Sequence, residues 1–442
     1  MVRFPKLGVK VAVAIATCLL GVLTWSGLFH PVPAQVVSQQ TVDLVQQGVD
    51  RYAAGEWAAA IALWEEALQE ATTVESERVI RGNLAQAYRQ VGQRDRALNQ
   101  WERLSELAED SGDRANEVAA TVERAQVYGE LGQHRRARAE LAALEVDESV
   151  LAPDVRMALR GTWGNTLAAL GEYDEAIASY QQSLDLSEGN PAATASTLNN
   201  LGNTYRSRAE RFRFQVEAAD AEGDFLEVER LQPLADADDA AAIAALERSV
   251  AVAQSLGGID EMRSRLNLMK LISQVGDADG ADMAEHRDRV RTLLSELPDS
   301  TEKAYGEIAL AVAMPDTDPA EAQNWLTDAL RVSEEIGDRR AASFAMGSLG
   351  GLYEASQQYD TAMQWTRQAA FAAQSVPAAD SLYRWQWQSG RLLVAMGNVD
   401  GAQTAYRDAI ATLQSIRGDI VAVNQELQFS FRDSVEPVYR EA

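Results

Sequence analysis

From about residue 41 to residue 418, apolar positions recur three and four residues apart, in short runs broken by polar turns that centre on glycine. That spacing puts the apolar side chains on one face of a helix, and the punctuation joins successive helices into hairpins. One stretch reads clearly: Asn83-Leu84-Ala85-Gln86-Ala87-Tyr88 leads through Val91-Gly92-Gln93 into Ala97-Leu98, Trp101 and Leu104. Gly92 ends the first helix where φ can turn positive. The same order returns as Gly164, Leu167, Leu170-Gly171-Glu172-Tyr173, Ala176-Ile177, Tyr180 and Leu184. It appears first as Gly48, Tyr52, Gly55-Glu56-Trp57, Ala60-Ile61, Trp64 and Ala67-Leu68.

One alanine marks each unit. Ala60, Ala97, Ala137, Ala176, Ala242, Ala281, Ala322, Ala362 and Ala402 are 37, 40, 39, 66, 39, 41, 40 and 40 residues apart. Twelve residues before most of them stands another small residue: Gly48, Ala85, Ala125, Gly164, Gly350 and Gly390. Small side chains recurring in both helices of a hairpin predict two backbones that cross closely once per repeat. The residues resemble the tetratricopeptide repeat (TPR), with Leu-Gly, a Tyr three on, Gly-x-Tyr at the turn, the alanine, and an aromatic four later. The period near 40, rather than about 34, resembles the longer variant, as do spacers such as Ser255-Leu256-Gly257-Gly258 and Glu335-Ile336-Gly337-Asp338. The resemblance implies an all-α TPR superhelical solenoid of about nine helix hairpins over 41–418, and a protein-binding scaffold.

Three units depart from the pattern. In the sixth, Asp282 and Glu285 fall where apolar residues are expected and Met269 replaces the small residue; in the seventh, Pro315 and Pro319 sit at the turn. Both are expected to be irregular or loosely packed. The fifth unit starts at Asn200-Leu201-Gly202-Asn203-Thr204-Tyr205, yet its alanine comes 27 residues late. The interval predicts a helical insertion near 206–238 in which Phe225, Val228 and Leu231 face Phe212 and Val216. A tolerated insertion is the simpler account of it; a docking arm carrying Phe212, Phe214 and Phe225 is the functional one.

The N-terminus follows other rules. Arg3, Lys6 and Lys10 precede an uncharged apolar stretch from Val11 to Phe29, and Val32-Pro33-Ala34 offers a cleavage site before Gln35. That is the pattern of a bacterial secretory signal over residues 1–34. An uncleaved anchor in the inner membrane, with residues 11–29 spanning and the repeats facing the periplasm, is the alternative. Either way the repeats are expected outside the cytoplasm, in the periplasm or beyond. The one cysteine, Cys18, lies within this stretch, so the remainder has no disulfide and no thiol nucleophile. The whole chain carries a formal charge of −26; removing residues 1–34 takes away three basic residues and no acidic one, leaving −29. Such a surface excludes nucleic acid and anionic lipid as partners, since neutralising phosphates needs clustered Lys and Arg.

Beyond the last hairpin the pattern leaves the repeat. Thr412-Leu413-Gln414-Ser415-Ile416-Arg417 is followed by Gln428-Phe429-Ser430-Phe431-Arg432 and by Val435-Glu436-Pro437-Val438-Tyr439. Phe429 and Phe431 alternate with polar residues, as in a short extended segment, and Asp433 or Ser434 can cap a new helix. Residues 381–440 resemble the junction of bacterial TPR–CHAT proteins, in which repeats lead into a caspase-like CHAT domain. Gln425 stands where that junction has Pro, and the sequence runs only to Ala442, so residues 419–442 are a junction-like tail with no CHAT domain after it. The family's His–Cys dyad has no counterpart here.

No catalytic, cofactor-binding or metal-binding residue is expected. His134 and His286 read as solvated helix histidines without a second ligand at metal spacing. Asp277-Ala278-Asp279-Gly280 falls at a repeat turn and lacks the ligands of a calcium loop. Trp64 and Trp101 occupy the core aromatic position. Trp385 and Trp387, two apart on a helix, cannot share a face, so one is expected in the core and the other exposed. What remains is the concave groove of the first helices, into which Gln86, Arg89, Gln126, Asn165, Asn199, Asn203 and Arg206 are expected to point. Their amides and guanidinium groups suit a peptide backbone or carboxylate. The sequence therefore predicts an exported, non-catalytic scaffold for a protein or peptide partner. The alternative is the regulatory half of a split CHAT-type peptidase, with a separately encoded CHAT-like domain as its partner.

Overall fold

The computed structural model describes residues 38–415 apart from 145, 276–279, 313–317 and 377–378; the signal-like segment 1–34 and the tail 419–442 lie outside the described residues. Among the described residues there are eighteen α-helices, one short 3-10 turn (Glu148–Val150) and no strand. The helices pair in chain order as nine hairpins. These are α1 (Gln39–Ala53) with α2 (Trp57–Gln69), α3 (Val74–Gln90) with α4 (Arg94–Ser111), and α5 (Arg114–Glu130) with α6 (His134–Ala142). Then follow α7 (Pro153–Ala169) with α8 (Tyr173–Asp185), α9 (Pro191–Glu222) with α10 (Phe225–Ala253), and α11 (Gly258–Val275) with α12 (Gly280–Glu296). The last three are α13 (Thr301–Val312) with α14 (Pro319–Ile336), α15 (Arg339–Ala355) with α16 (Tyr359–Gln374), and α17 (Ala379–Ala395) with α18 (Val399–Ser415). All nine marker alanines fall in second helices, and the eight whose side chains are described are buried.

Several crossings are set by a lock of three residues, seen most plainly in the first, fourth, fifth and ninth hairpins. The marker alanine lets the second helix approach, and the large side chain four residues after it fills the space over the small residue of the first helix. A Cβ on Gly164 would lie 2.7 Å from the Tyr180 ring, one on Gly390 2.3 Å from Tyr406, and one on Gly48 2.2 Å from Trp64. Trp64 also donates its indole N–H to the Val45 carbonyl at 3.1 Å. The interrupted fifth unit keeps the lock, for Gly202 meets Leu246 and the Ala242 carbonyl. The extra residues have lengthened both helices without disturbing their crossing.

The lengthened α9 and α10 project as an arm, turning at Gly223. The arm is stapled at its base by arginines. Arg208 is bidentate to Asp238 (2.7 Å on each arm) and also reaches Asp174, Arg213 pairs with Asp239, and Arg211 donates to the Gly171 carbonyl at 3.1 Å. Leu231 and Ala235 are buried in the seam and Val228, Phe212 and Val216 are half-buried. Phe225, expected in that seam, is instead 70% exposed at the tip, because the turn at Gly223 leaves the first residue of α10 with no opposing turn of α9.

The helices of the seventh unit are well packed, against the expectation of loose packing, while Pro315 lies outside the described residues. Pro319 is the first residue of α14, where its missing N–H costs nothing, and Asp318 caps that helix. Ala304, Tyr305, Ile308, Leu326, Ala329 and Val332 join Phe344 and Trp385 in the largest apolar cluster. In the sixth unit Met269 is fully buried beside Leu293 and Leu294, a flexible side chain filling the position of a small one.

Hairpin turns end on a left-handed residue that lets the chain reverse. At Gly92 (φ +67°) the next amide, Gln93 N–H, bonds back to the Tyr88 carbonyl at 2.8 Å. The eighth hairpin has Gln357 at the same place, at φ +57°. A side chain there costs about 1 kcal/mol relative to glycine, so Gln357→Gly is expected to raise the unfolding free energy by about that amount in denaturant titration. Gly164→Ala is expected to lower it by about 1–3 kcal/mol through overpacking against Tyr180; an unchanged midpoint would refute the lock.

Candidate functional site

The first helices of successive hairpins touch one another: α5 with α7, α7 with α9, α9 with α11, α11 with α13, α13 with α15 and α15 with α17. No pair of second helices does so comparably. The first helices therefore form the tighter, inner wall of the superhelix and the second helices its outside.

All seven residues expected in the groove lie on first helices, and six of them reach toward neighbouring side chains. Gln86 donates to Glu123 (3.3 Å), and Arg89 to Glu123 (3.0 Å) and Glu130 (3.1 Å). Gln126 donates to Thr162 at 3.1 Å; Asn165 accepts from Tyr180 (2.7 Å) and from Asn200 (2.8 Å). Asn199 accepts from Asn267 at 2.8 Å, and Arg206 faces Gln274 at 3.4 Å. Asn203 differs: neither its amide oxygen nor its amide nitrogen has a hydrogen-bond partner, although both atoms are shielded from the surface. The wall is thus a ladder of polar rungs between adjacent first helices, with one rung open at Asn203.

Its electrostatics centre on Arg89. Burial works against that guanidinium, but the Glu130 and Glu123 carboxylates outweigh it and hold its proton more tightly than usual. Burial raises Glu123 against the pull of Arg89, whereas Arg89 and Arg94 together overcome burial at Glu130 and lower it. Across the lumen burial also raises Glu302, with Arg263 opposing. Burial, with Glu302 nearby, pushes Tyr52 on α1 up to about 12. A first-hairpin residue therefore senses a seventh-hairpin one.

That proximity is a feature the sequence pattern did not reveal. The first three hairpins meet the seventh and eighth, more than two hundred residues on. Trp57 donates its indole N–H to the Asp299 carbonyl at 3.0 Å, Arg94 faces Asp338 at 3.5 Å, and Arg340 donates to the Glu130 carbonyl at 3.1 Å. A faint signal was present: Arg94 stands two residues after its turn glycine, where the first and fourth units have Trp57 and Tyr173. A buried cation in an aromatic position implies a partner carboxylate.

The remaining chemistry is structural. His134 is 2% exposed rather than solvated, and His286 is half-buried against the Arg265 guanidinium at 2.8 Å. Burial and the cation of Arg265 both lower the His286 pKa, which favours the neutral ring. Trp64 and Trp101 are core. Trp385 is buried edge-on against Phe344 with its N–H on the Ser343 hydroxyl at 2.8 Å, while Trp387 is half-buried beneath Arg391. Among the described residues no group of three or more His, Cys, Asp and Glu is placed to hold a metal ion, and no helix is long and apolar enough to cross a membrane. The Asp277–Gly280 turn lies largely outside the described residues.

Two segments, residues 81–115 and 154–213, match family models of the tetratricopeptide repeat. They cover most of the second hairpin, and the fourth hairpin with most of α9. With the nine helix hairpins, they establish an all-α TPR solenoid. No curated protein matches the chain in sequence. Among solved structures, a Rap protein complexed with competence and sporulation factor is 11% identical and aligns over 87% of this chain and 89% of its own, with a TM-score of 0.46. A signal transduction ATPase with numerous domains and a TPR sensor, from Pyrococcus horikoshii, is also 11% identical over 96% of this chain and 68% of its own, at 0.48. A TPR protein from Parabacteroides merdae is 15% identical over 70% of this chain and all of its own, at 0.38.

The carboxyl group furthest from its ordinary behaviour is Glu307 on α13, 1% exposed. Burial, then the charge of nearby Asp328, push its pKa from 4.5 to about 9. It lies between the two helices of the seventh hairpin, near the Asp328 carboxylate. An acid raised in this way binds its proton in the fold and releases it when unfolded, so stability falls as pH rises from about 4.5 to about 9. Glu307→Gln is expected to raise the melting temperature at about pH 8 and to flatten the decline between pH 5 and 8, as read by circular dichroism.

Proposed function

We propose that this chain is a non-catalytic interaction scaffold that takes an extended protein or peptide segment along its inner wall. The observation that carries the reading is the ladder of amide, hydroxyl and guanidinium groups running along the first helices, interrupted at Asn203. A strand-like segment offers a donor and an acceptor at every residue, and side-chain amides and guanidinium groups are chemically matched to it. Paired rungs can exchange their mutual hydrogen bonds for bonds to a ligand at little net change. The acidic remainder of the chain favours partners that are neutral or basic overall. The signal-like residues 1–34 support export, with binding outside the cytoplasm. The resemblance of residues 381–440 to a TPR–CHAT junction supports a narrower version, in which the partner is a separately encoded CHAT-like domain that meets residues 419–442.

Panning a displayed library of random peptides against the full chain tests the main reading. Enriched peptides are expected to bind the Asn199→Ala, Asn203→Ala double variant about tenfold more weakly, with helicity unchanged. Binding that ignores the double variant, or no enriched peptide, overturns the inner wall as the site. A chain ending at Gly418 separates the versions, because only a junction partner should be lost with the tail.

A further inference from the structure

We infer that the seam between the second hairpin and the α14–α15 turn is a reversible latch, which closes the superhelix into a ring and governs access to its inner wall.

Asp338 is the catch. Its carboxylate caps α15 by accepting from Arg340 N–H (3.1 Å) and Ala341 N–H (3.0 Å), and its other oxygen accepts the Thr301 hydroxyl at 3.0 Å. The same oxygen faces Arg94 of α4 at 3.5 Å, with the two side chains 1% and 4% exposed. The turn before α4 is shaped to receive it: a Cβ at Gly92 would lie 2.5 Å from the Asp338 carboxylate. Arg340 reaches the opposite way, to the Glu130 carbonyl at the C-terminal end of α5, where the helix dipole favours a cation. On the far side Pro298 presses against Gly55, and Ile336 packs on the apolar cluster of the first two hairpins.

This seam differs in kind from those between consecutive hairpins. They carry the apolar clusters of the core; this one joins hairpins far apart in sequence through ion pairs and hydrogen bonds, with Pro298 and Ile336 adding apolar contact. A buried ion pair contributes little net stability, because its Coulomb attraction is offset by desolvation. Arg94 has a second partner on its own side, Glu130 at 3.4 Å, so parting from Asp338 does not strand it. Asp338 likewise keeps Thr301 and its cap. Both halves are therefore satisfied when separated, and a solenoid flexes by small rotations summed over its repeats. A device with two satisfied states is what a gate requires. The closure is a property of the chain itself, so it stands or falls separately from what the wall binds.

Distance measurement by double electron–electron resonance tests it on the full chain in a Cys18→Ser background, with spin labels at the exposed positions Glu56→Cys and Glu335→Cys. A dominant short distance is expected at low salt, with a longer population growing as sodium chloride is added. Asp338→Asn keeps the cap but removes the charge facing Arg94, and Arg340→Ala removes the second tether. Each is expected to raise the ratio of long to short distances by about tenfold while circular dichroism and melting of the helices stay close to those of the parent. One distance unmoved by salt and by both variants would make the seam a fixed joint and overturn the latch. A long distance alone in the parent would overturn the closure itself.

Discussion

Everything in this molecule depends on how close two helices can come. At several crossings the marker alanine removes side-chain bulk, and a large residue four positions later occupies what the opposing small residue leaves free. Trp64 over Gly48, Tyr180 over Gly164 and Tyr406 over Gly390 are three versions of one fit. Because a helix presents residues four apart on the same face, the alanine and the large side chain act on the same neighbour. Thus the distance and the rotation of the hairpin are set together. Repeating that fit along the chain helps fix the curvature that turns the first helices inward.

The inward turn has an electrical counterpart. Outside, a strongly acidic surface is solvated; inside, cations and anions alternate at hydrogen-bond range, as at Arg89 between Glu123 and Glu130. Buried charge needs a partner, and the first helices supply each other's partners in sequence. The wall thereby cements adjacent hairpins through side chains that lie on the first helices.

Much of this was legible in the chain. Helix spacing, turn glycines and the alanine register gave the nine hairpins, because local propensity and a single repeated fit decide them. The seven residues expected in the groove all lie on first helices, though Asn199 and Arg206 are buried there. What they do there was less visible: Gln86, Arg89 and Asn199 are held by side chains 37, 34 and 68 residues away in sequence, and pairing at such separations follows superhelical pitch rather than any local signal. His134 and the seventh unit were misjudged for one reason. Polarity or a proline in a single hairpin says little when the neighbouring hairpin supplies the burial. The pairing of Arg94 with Asp338 lay furthest from view, since two residues separated by a full superhelical turn share no pattern in the chain.

The contact between Arg94 and Asp338 bears on how the protein folds. Open solenoids have almost only local contacts, so their units can form and fray nearly independently, from the ends inward. Joining the second hairpin to the eighth adds a contact across some 240 residues, and loop-closure entropy has to be met before it forms. Five intervening hairpins are then tied at both ends. They should gain cooperativity with one another, while the ninth, beyond the join, remains the natural site for fraying.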